Sequence, residues 1–307
     1  MKQAVEIIAK DQRGTTVSLH DVYRWRWRPR WRARSFRLLS GLFGILTACL
    51  PDFARLALRQ AGPVVRPLDY AAADVRIHAD SWVEYDKRAY SCSKEPETVA
   101  WLETHIKPGD VVYDIGANVG AYSLIIAKRF QGKVKVYAFE PSFSTFAQLS
   151  RNVALNDLSD AVYPMYIALS DKNGLSFFNY SSLDTGTALH ALDSGGDHTA
   201  FQAVHRQPIL SFTLDEMVER FNLPYPHHIK LDVDGIEHAI LRGAARALAQ
   251  RDLRSIIVES EETRPGADSI HGLLRAAGFE LESEHVHNAN PLHKGPYVKN
   301  CIYRRLA

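Results

Sequence analysis

From Pro96 onward, short apolar runs alternate with segments whose apolar residues recur at helical spacing. This alternation restricts the fold more than any other feature of the chain. Val111–Ile115, Val134–Phe139, Val162–Leu169, His228–Val233 and Ser255–Val258 read as strands. Between them, residues 119, 122, 126 and 130, then Phe146, Leu149 and Val153, then Ile236, Ile240, Ala244 and Leu248 trace helix faces. Pro96 stands where a helix carrying Val99, Leu102 and Ile106 would begin, and Ser142 is placed to cap the helix of Phe146. Leu214–Phe221 and Ile270–Ala277 add two more helices, and Phe279–Val286 with Val298–Tyr303 read as a closing antiparallel pair. Strands alternating with helices predict an α/β fold: a doubly wound, mostly parallel, seven-stranded sheet. Residues 174–210 break the rhythm. Phe177, Phe178 and Tyr180 suggest a strand, and Gly186, Gly195 and Gly196 then mark a long loop carrying His190, His198 and His205.

The chain divides into 1–60, a basic extension; 61–94, a connecting segment with strand character at Asp74–His78 and Trp82–Tyr85; and 95–307, the α/β domain. Its 307 residues carry a formal charge of +2, but residues 1–60 hold 12 Lys/Arg against 4 Asp/Glu, and the remainder is net acidic. An acidic body argues against a general nucleic-acid binder. In the extension, Arg24, Arg26, Arg28, Arg30, Arg32, Arg34 and Arg37 interleave with Trp25, Trp27, Trp31 and Phe36, and the apolar run Leu38–Leu50 follows. A helical bilayer span needs about 20 apolar residues, so this run is too short to cross. Residues 23–50 suit peripheral contact with a membrane, with guanidinium on phosphate and indole at headgroup level. A single-stranded nucleic acid could use the same charge and stacking, and a poorly ordered extension, or a helix docked on the body, is the plain structural alternative. Three scattered cysteines, Cys49, Cys92 and Cys301, form no disulfide framework, so the expected setting is cytoplasmic, with a peripheral position at the inner membrane face open to the extension.

Asp114-Ile-Gly116-Ala-Asn118-Val-Gly120 lies between the first strand and the next helix, at the carboxyl end of the sheet, where ligands bind in such folds. It is neither the dinucleotide fingerprint nor a phosphate loop. Glu140 ends the second strand, where a carboxylate can accept hydrogen bonds from both hydroxyls of a ribose. Turn and acid together point to an adenosyl ligand; an unrelated α/β protein with a glycine turn and a strand-end acid is the alternative.

These residues carry a resemblance. Residues 114–123 (DIGANVGAYS), Phe139-Glu-Pro141, Asn152 with Leu155-Asn156, Ala168-Leu-Ser-Asp171 and residues 229–237 (IKLDVDGIE) resemble the FkbM family of S-adenosylmethionine-dependent methyltransferases. The similarity runs from about residue 95 to 305 and leaves the extension uncovered. It implies a class I, Rossmann-like methyltransferase sheet with a reversed last strand, and methyl transfer from S-adenosyl-L-methionine to a hydroxyl of a sugar, glycan or small metabolite. Asp234 stands where the family more commonly has glutamate. In this frame Glu140 should hold the ribose, Gly116 and Gly120 should leave room for the methionine part, and Asp114 or Asn118 should lie near its ammonium. Ser123 could add a hydroxyl, and Asp171 falls beside the adenine.

Alternation along the fourth strand places His228, Lys230, Asp232 and Asp234 on one side. Asp232 is the leading catalytic candidate, as base or acceptor-orienting group, with Lys230 and His228 beside it and His238 behind. Glu237 in the next turn and Glu259 at the end of the fifth strand add carboxylates. Asp232, Asp234 and Glu237 could instead hold a divalent metal, or Lys230 could neutralise a partly buried acidic cluster. The pair His285 and His287, with His293, lacks a defined third zinc ligand and reads as loop or surface. Two other functions fit less of the chain: a nucleic-acid methyltransferase using the Arg/Trp extension, and a non-catalytic binder of the methyl donor.

Overall fold

The apolar runs pair into one sheet. In the computed structural model, which describes residues 8–10, 16–18, 31–188, 190–193, 202–260, 269–286 and 298–306, the strands are β1 (Val111–Ile115), β2 (Lys135–Phe139), β3 (Val162–Met165), β4 (His228–Leu231), β5 (Ser255–Ser260), β6 (Phe279–Val286) and β7 (Lys299–Arg305). They lie in the order β3-β2-β1-β4-β5-β7-β6. β3 to β5 run parallel, and β7 enters antiparallel between β5 and β6. β1 and β4 are buried along their whole length, as expected of central strands covered on both faces.

Among the described residues, the helices of six or more residues are α1 (Trp31–Ala48), α2 (Asp52–Ala61), α3 (Pro96–His105), α4 (Ala121–Arg129), α5 (Phe143–Leu155), α6 (Leu214–Arg220), α7 (Glu237–Arg242) and α8 (Ile270–Ala276). Trp101 of α3, Ile125 of α4 and Leu149 of α5 pack with Val112, Val136 and Ile257 on one face of the sheet. Met217 of α6, Ile240 of α7 and Leu274 of α8 pack with Tyr113, Ile229 and Val258 on the other. This is the doubly wound, seven-stranded α/β arrangement expected from the sequence.

Several local expectations need correction. The run read as Val162–Leu169 splits after Met165: Ile167 N–H turns back to the Met165 carbonyl. Ala168–Leu169 then joins a second, four-stranded sheet with Gly174–Tyr180, Ala191–Leu192 and His205–Phe212. The last of these strands was hidden in the expected loop, because most of its side chains are exposed or half-exposed and Pro208 interrupts it. Trp82–Asp86 is a helix rather than a strand, started by a reciprocal capping box between Ser81 and Glu84. Ser142 does stand at the head of α5, but its side chain does not cap it and reaches Thr145 Oγ1 instead.

The segment expected to connect extension and domain contributes to the core. Val65–Pro67 pairs with Arg76–His78, and Leu68, Val75, Ile77 and Cys92 are buried with the α3–α5 layer. Asn152 and Asn156 of α5 hold this hairpin, their side-chain oxygens accepting from His78 N–H and Arg76 N–H at 2.8 and 3.0 Å. Tyr23–Arg30, Gly195, Gly196, His198, His287 and His293 lie outside the described residues. No helix among the described residues is long and apolar enough to cross a membrane.

Candidate functional site

The turn after β1 is built around positions that only glycine fills easily. Gly116 adopts φ +82°, and a Cβ there would stand 1.7 Å from the Asp232 carbonyl oxygen. Gly120 adopts φ +87° at the head of α4, where a Cβ would meet Leu149 Cδ1 at 2.4 Å. Both glycines are thus demanded by neighbouring protein atoms as well as by backbone conformation. Gly116 and Ala117 N–H both donate to the Phe139 carbonyl, which sews the turn to the end of β2.

Glu140, one residue beyond β2, is buried. Its two carboxylate oxygens accept from Asn118 N–H and Ser142 N–H, each at 2.8 Å. Burial outweighs these bonds and lifts its pKa to about 7. Each oxygen keeps a further lone pair, so the carboxylate has the capacity to take both hydroxyls of a ribose. Above the turn, the Asn118 side-chain amide donates to the Thr187 carbonyl at 3.0 Å. The same short loop is held by Ser81 Oγ on the Thr185 carbonyl and by Arg88 Nε on the Gly186 carbonyl.

Strand register assembles the charged cluster. Lys230 pairs directly with Asp114 across β4 and β1, so their side chains share the face covered by α3 and α4. Lys230 Nζ lies 3.0 Å from Asp232 Oδ2 and 3.8 Å from Asp114 Oδ1. Ser123 Oγ donates to Asp114 Oδ2, while Asp114 Oδ1 accepts no hydrogen bond from the described residues although it is buried. That orphaned oxygen, next to the glycine turn, suits a ligand ammonium. Burial raises the Asp114 pKa despite Lys230. For Asp232 burial works the same way, but Lys230, followed by Lys94, prevails and holds the carboxyl well below its usual range. An acid with so little proton affinity is a weak base and a dependable hydrogen-bond acceptor.

Sequence reasoning missed the other side of this cluster. The segment before α3 supplies Lys94 and Glu95, whose side chains pair at 2.6 Å, and Tyr122 of α4 donates to Glu95 Oε2 at 3.0 Å. Lys230 Nζ stands 5.3 Å from the centre of the Tyr122 ring. Glu259 stands opposite Asp232, one step beyond the last β4–β5 pair, Leu231 with Val258. Burial, then the charges of Asp232 and Glu95, hold its proton far above the ordinary carboxylate range. Residues 91–95 show no periodicity or motif, whereas Tyr122, within the quoted 114–123 motif, and Glu259, at the end of the fifth strand, lay in segments already marked.

Other expected site residues lie elsewhere. His228 begins β4, at the amino end of the sheet, opposite the glycine turn. Trp101 Nε1 donates to Ser255 Oγ, Ser255 lies 2.7 Å from His228 Nδ1, and His228 Nε2 lies 3.0 Å from Asp110 Oδ2. These partners assign a neutral ring with the proton on Nε2, and burial lowers its pKa to about 4. His228 therefore fastens the core at the end of the sheet opposite the glycine turn. Alternation placed it on the correct face but could not report its height along the strand. Asp171 is drawn to Arg242 Nη2 at 2.8 Å, and this bond keeps it ionised below its normal range.

Asp232, Asp234 and Glu237 do not converge on a metal site. Among the described residues, no three His, Cys, Asp or Glu side chains are grouped to hold one. β4 ends at Leu231, and Asp234 (φ +58°) and Gly235 (φ +113°) turn the chain. Glu237 Oε1 accepts from Val233 and Gly235 N–H, and burial raises this carboxyl to about 7. His190 packs against Phe178 and Tyr180, its Nδ1 accepts from Ser181 N–H, and burial lowers its pKa to about 4. His205 meets the Phe143 ring edge-on and the Tyr180 ring at a tilt. His285 lies on β6, its Nε2 3.2 Å from Ser283 Oγ.

Known proteins resemble much of this chain. Residues 114–281, just over half of the chain, match the family model described as the methyltransferase FkbM domain. The hexuronic acid methyltransferase AglP of Haloferax volcanii is 29% identical over 165 residues, covering 54% of this chain and 62% of that protein. The 31-O-demethyl-FK506 methyltransferase FkbM of Streptomyces tacrolimicus is 27% identical over 224 residues, covering 66% and 83%. A solved structure of methyltransferase FkbM from Methylobacillus flagellatus superposes with a TM-score of 0.44 at 13% identity, covering 70% of this chain and 53% of that one. With its matched segment running from the Asp114 turn through the charged end of β4 to β6, the chain belongs to the FkbM methyltransferase family.

Proposed function

We propose that the protein is an S-adenosylmethionine-dependent O-methyltransferase acting on a hydroxyl of a sugar, glycan or other small-metabolite acceptor. The observation that carries this reading is the junction of two half-sites at the carboxyl edge of the sheet. On one side are the glycine turn, Glu140 and the orphaned Asp114 oxygen; on the other are Asp232 and Lys230. The relatives named for a hexuronic acid and for demethyl-FK506 support a hydroxylated small-molecule acceptor.

Glu140 would hold the ribose of the donor, and Asp114 would receive its ammonium. The donor supplies a methyl group activated on a sulfonium sulfur. In the transfer a carbon–sulfur bond breaks as a carbon–oxygen bond forms, the donor sulfur leaves as a neutral thioether, and the hydroxyl proton passes to solvent water. Asp232, kept ionised by Lys230 and Lys94, accepts the hydrogen bond of the acceptor hydroxyl and aims its lone pair. Lys230 positions Asp232 and Asp114 together. The enzyme acts in the cytoplasm, with residues 23–50 available for contact at the inner membrane face.

The test is incubation with methyl-labelled donor and fractionated cell extract, followed by identification of the labelled product. The expected label is on a small molecule or glycan. Label confined to protein or nucleic acid overturns the reading.

A further inference from the structure

Two helices of this chain bury nothing. None of the 18 residues of α1 and none of the 10 of α2 is buried. Leu38, Leu39, Leu42, Phe43, Ile45 and Leu46 of α1 are each more than half exposed, and so are Phe53, Leu56 and Leu58 of α2. Scattered single apolar residues on a surface need no account, whereas a contiguous set of nine on adjoining helices does. The helices join at Pro51, where Ala54 and Arg55 N–H donate to its carbonyl.

Among the described residues, the body holds only the start of this pair. Arg32 Nη1 lies 3.6 Å from Asp86 Oδ1, and the Phe36 ring centre is 4.8 Å from that of Trp82. From Leu38 the apolar part of α1 continues for about 16 Å at 1.5 Å per residue, roughly half the thickness of a bilayer core. It is too short to cross and long enough to lie within one leaflet. Its apolar side chains spread over nearly half of the helix circumference. That is broader than the narrow seam by which helices pair with one another, and it fits immersion.

Charge decides between a lipid surface and a second copy of the chain. Between Asp21 and Asp52 there is no acidic residue, and there are seven arginines. Arg32, Arg34 and Arg37 occupy the first turns of α1, and Arg55 and Arg59 share one stripe of α2. A self-pairing through these faces would bring like-charged arginines together. Anionic headgroups would neutralise them, with long guanidinium side chains reaching outward from an apolar face.

We infer that α1 and α2 form a monotopic anchor that docks the protein on the surface of an anionic lipid bilayer. The inference rests on the placement at a membrane face proposed above and is independent of the chemistry of methyl transfer. The anchor is fastened to the Trp82–Asp86 helix, and the cap of that helix, Ser81, donates to the Thr185 carbonyl in the loop over Asn118. Docking therefore brings the bilayer to the edge of the body that covers the glycine turn.

The test is co-sedimentation of the full chain with vesicles of phosphatidylcholine containing phosphatidylglycerol, or of phosphatidylcholine alone, at low and high salt. The expected result is binding to the anionic vesicles, weakened about tenfold or more by high salt or by omission of the anionic lipid. The variant carrying L42D, I45D and L56D should lose sedimentation. These side chains are exposed, so the variant should fold and bind the methyl donor as before. Absence of binding to anionic vesicles at low salt overturns the inference, as does sedimentation that survives the triple change. A dimer in solution that the triple change disperses also overturns it, in favour of a second copy as the occupant. Donor affinity measured without vesicles separates failure of the anchor from failure of the methyltransferase reading.

Discussion

Lowering the pH from 8 to 6 should weaken binding of the donor's adenosyl part through one residue, Glu140. Burial lifts this carboxyl to about 7, although Asn118 and Ser142 N–H both donate to it. Only the ionised form offers a free lone pair on each oxygen to a ribose diol. The folded-state pKa lies above the ordinary value, so the stability Glu140 contributes is fully present below about 4.5 and is lost as the pH rises through 7. Above pH 7 the ligand-free protein thus holds a buried charge that two ribose hydroxyls can satisfy.

The magnitude follows directly. The ionised fraction falls from about nine-tenths at pH 8 to about one-tenth at pH 6, so affinity should drop about tenfold, or about 1.4 kcal/mol. The assay is calorimetric titration with 5′-methylthioadenosine, which carries the ribose diol but not the α-amino group of the full donor. At pH 7, about half a proton should be released per ligand bound, visible as different apparent enthalpies in two buffers of unlike ionisation heat. E140Q should bind weakly and without pH dependence. A dissociation constant that is flat from pH 6 to 8, with equal enthalpies in both buffers, refutes the reasoning. A slope that persists in E140Q assigns the titration elsewhere, with Glu237 as the next group near 7.

D232N should lower turnover by about 100-fold or more while changing donor affinity less than about threefold, because Lys230 keeps Asp114 as a partner; steady-state kinetics with surviving turnover would remove Asp232 from the mechanism. G116A should cost at least about 3 kcal/mol in urea unfolding and abolish donor binding, since a left-handed residue gains a side chain against the Asp232 carbonyl. H228A should destabilise by about 2–4 kcal/mol, as buried Asp110 and Ser255 each lose a partner. The H228A protein that remains folded should keep wild-type donor affinity and the wild-type pH profile of turnover. A selective loss of either would return His228 to the catalytic set.

How much of this could be read in advance depended on the kind of residue. β1 was legible to both ends, because a continuous apolar run between Gly109 and Gly116 has few alternatives. β3 was overextended, because Ala168 and Leu169 are as apolar as the strand before them and nothing local signals the change of sheet. Gly116, Gly120 and Glu140 were visible because turn chemistry and strand ends leave marks at fixed places. Lys94 and Glu95 were not, since their role arises from the packing of residues 91–95 against Tyr122, a contact across 27 residues of chain. The Arg/Trp extension announced its charge but not its second helix, α2.

The contact between Gly116 and the Asp232 carbonyl has an evolutionary corollary. It joins the two half-sites through main chain, so the reach from donor to acceptor group is set before any side chain is chosen. The second sheet, whose four strands lie between Ala168 and Phe212, is separate from the main sheet and carries its own small core of Phe178, Tyr180, Leu192 and Ile209. Such an appendage can be exchanged or remodelled for a new acceptor while the reaction distance is inherited unchanged. Descendants of one ancestral enzyme could in this way diverge in what they methylate without having to reinvent how.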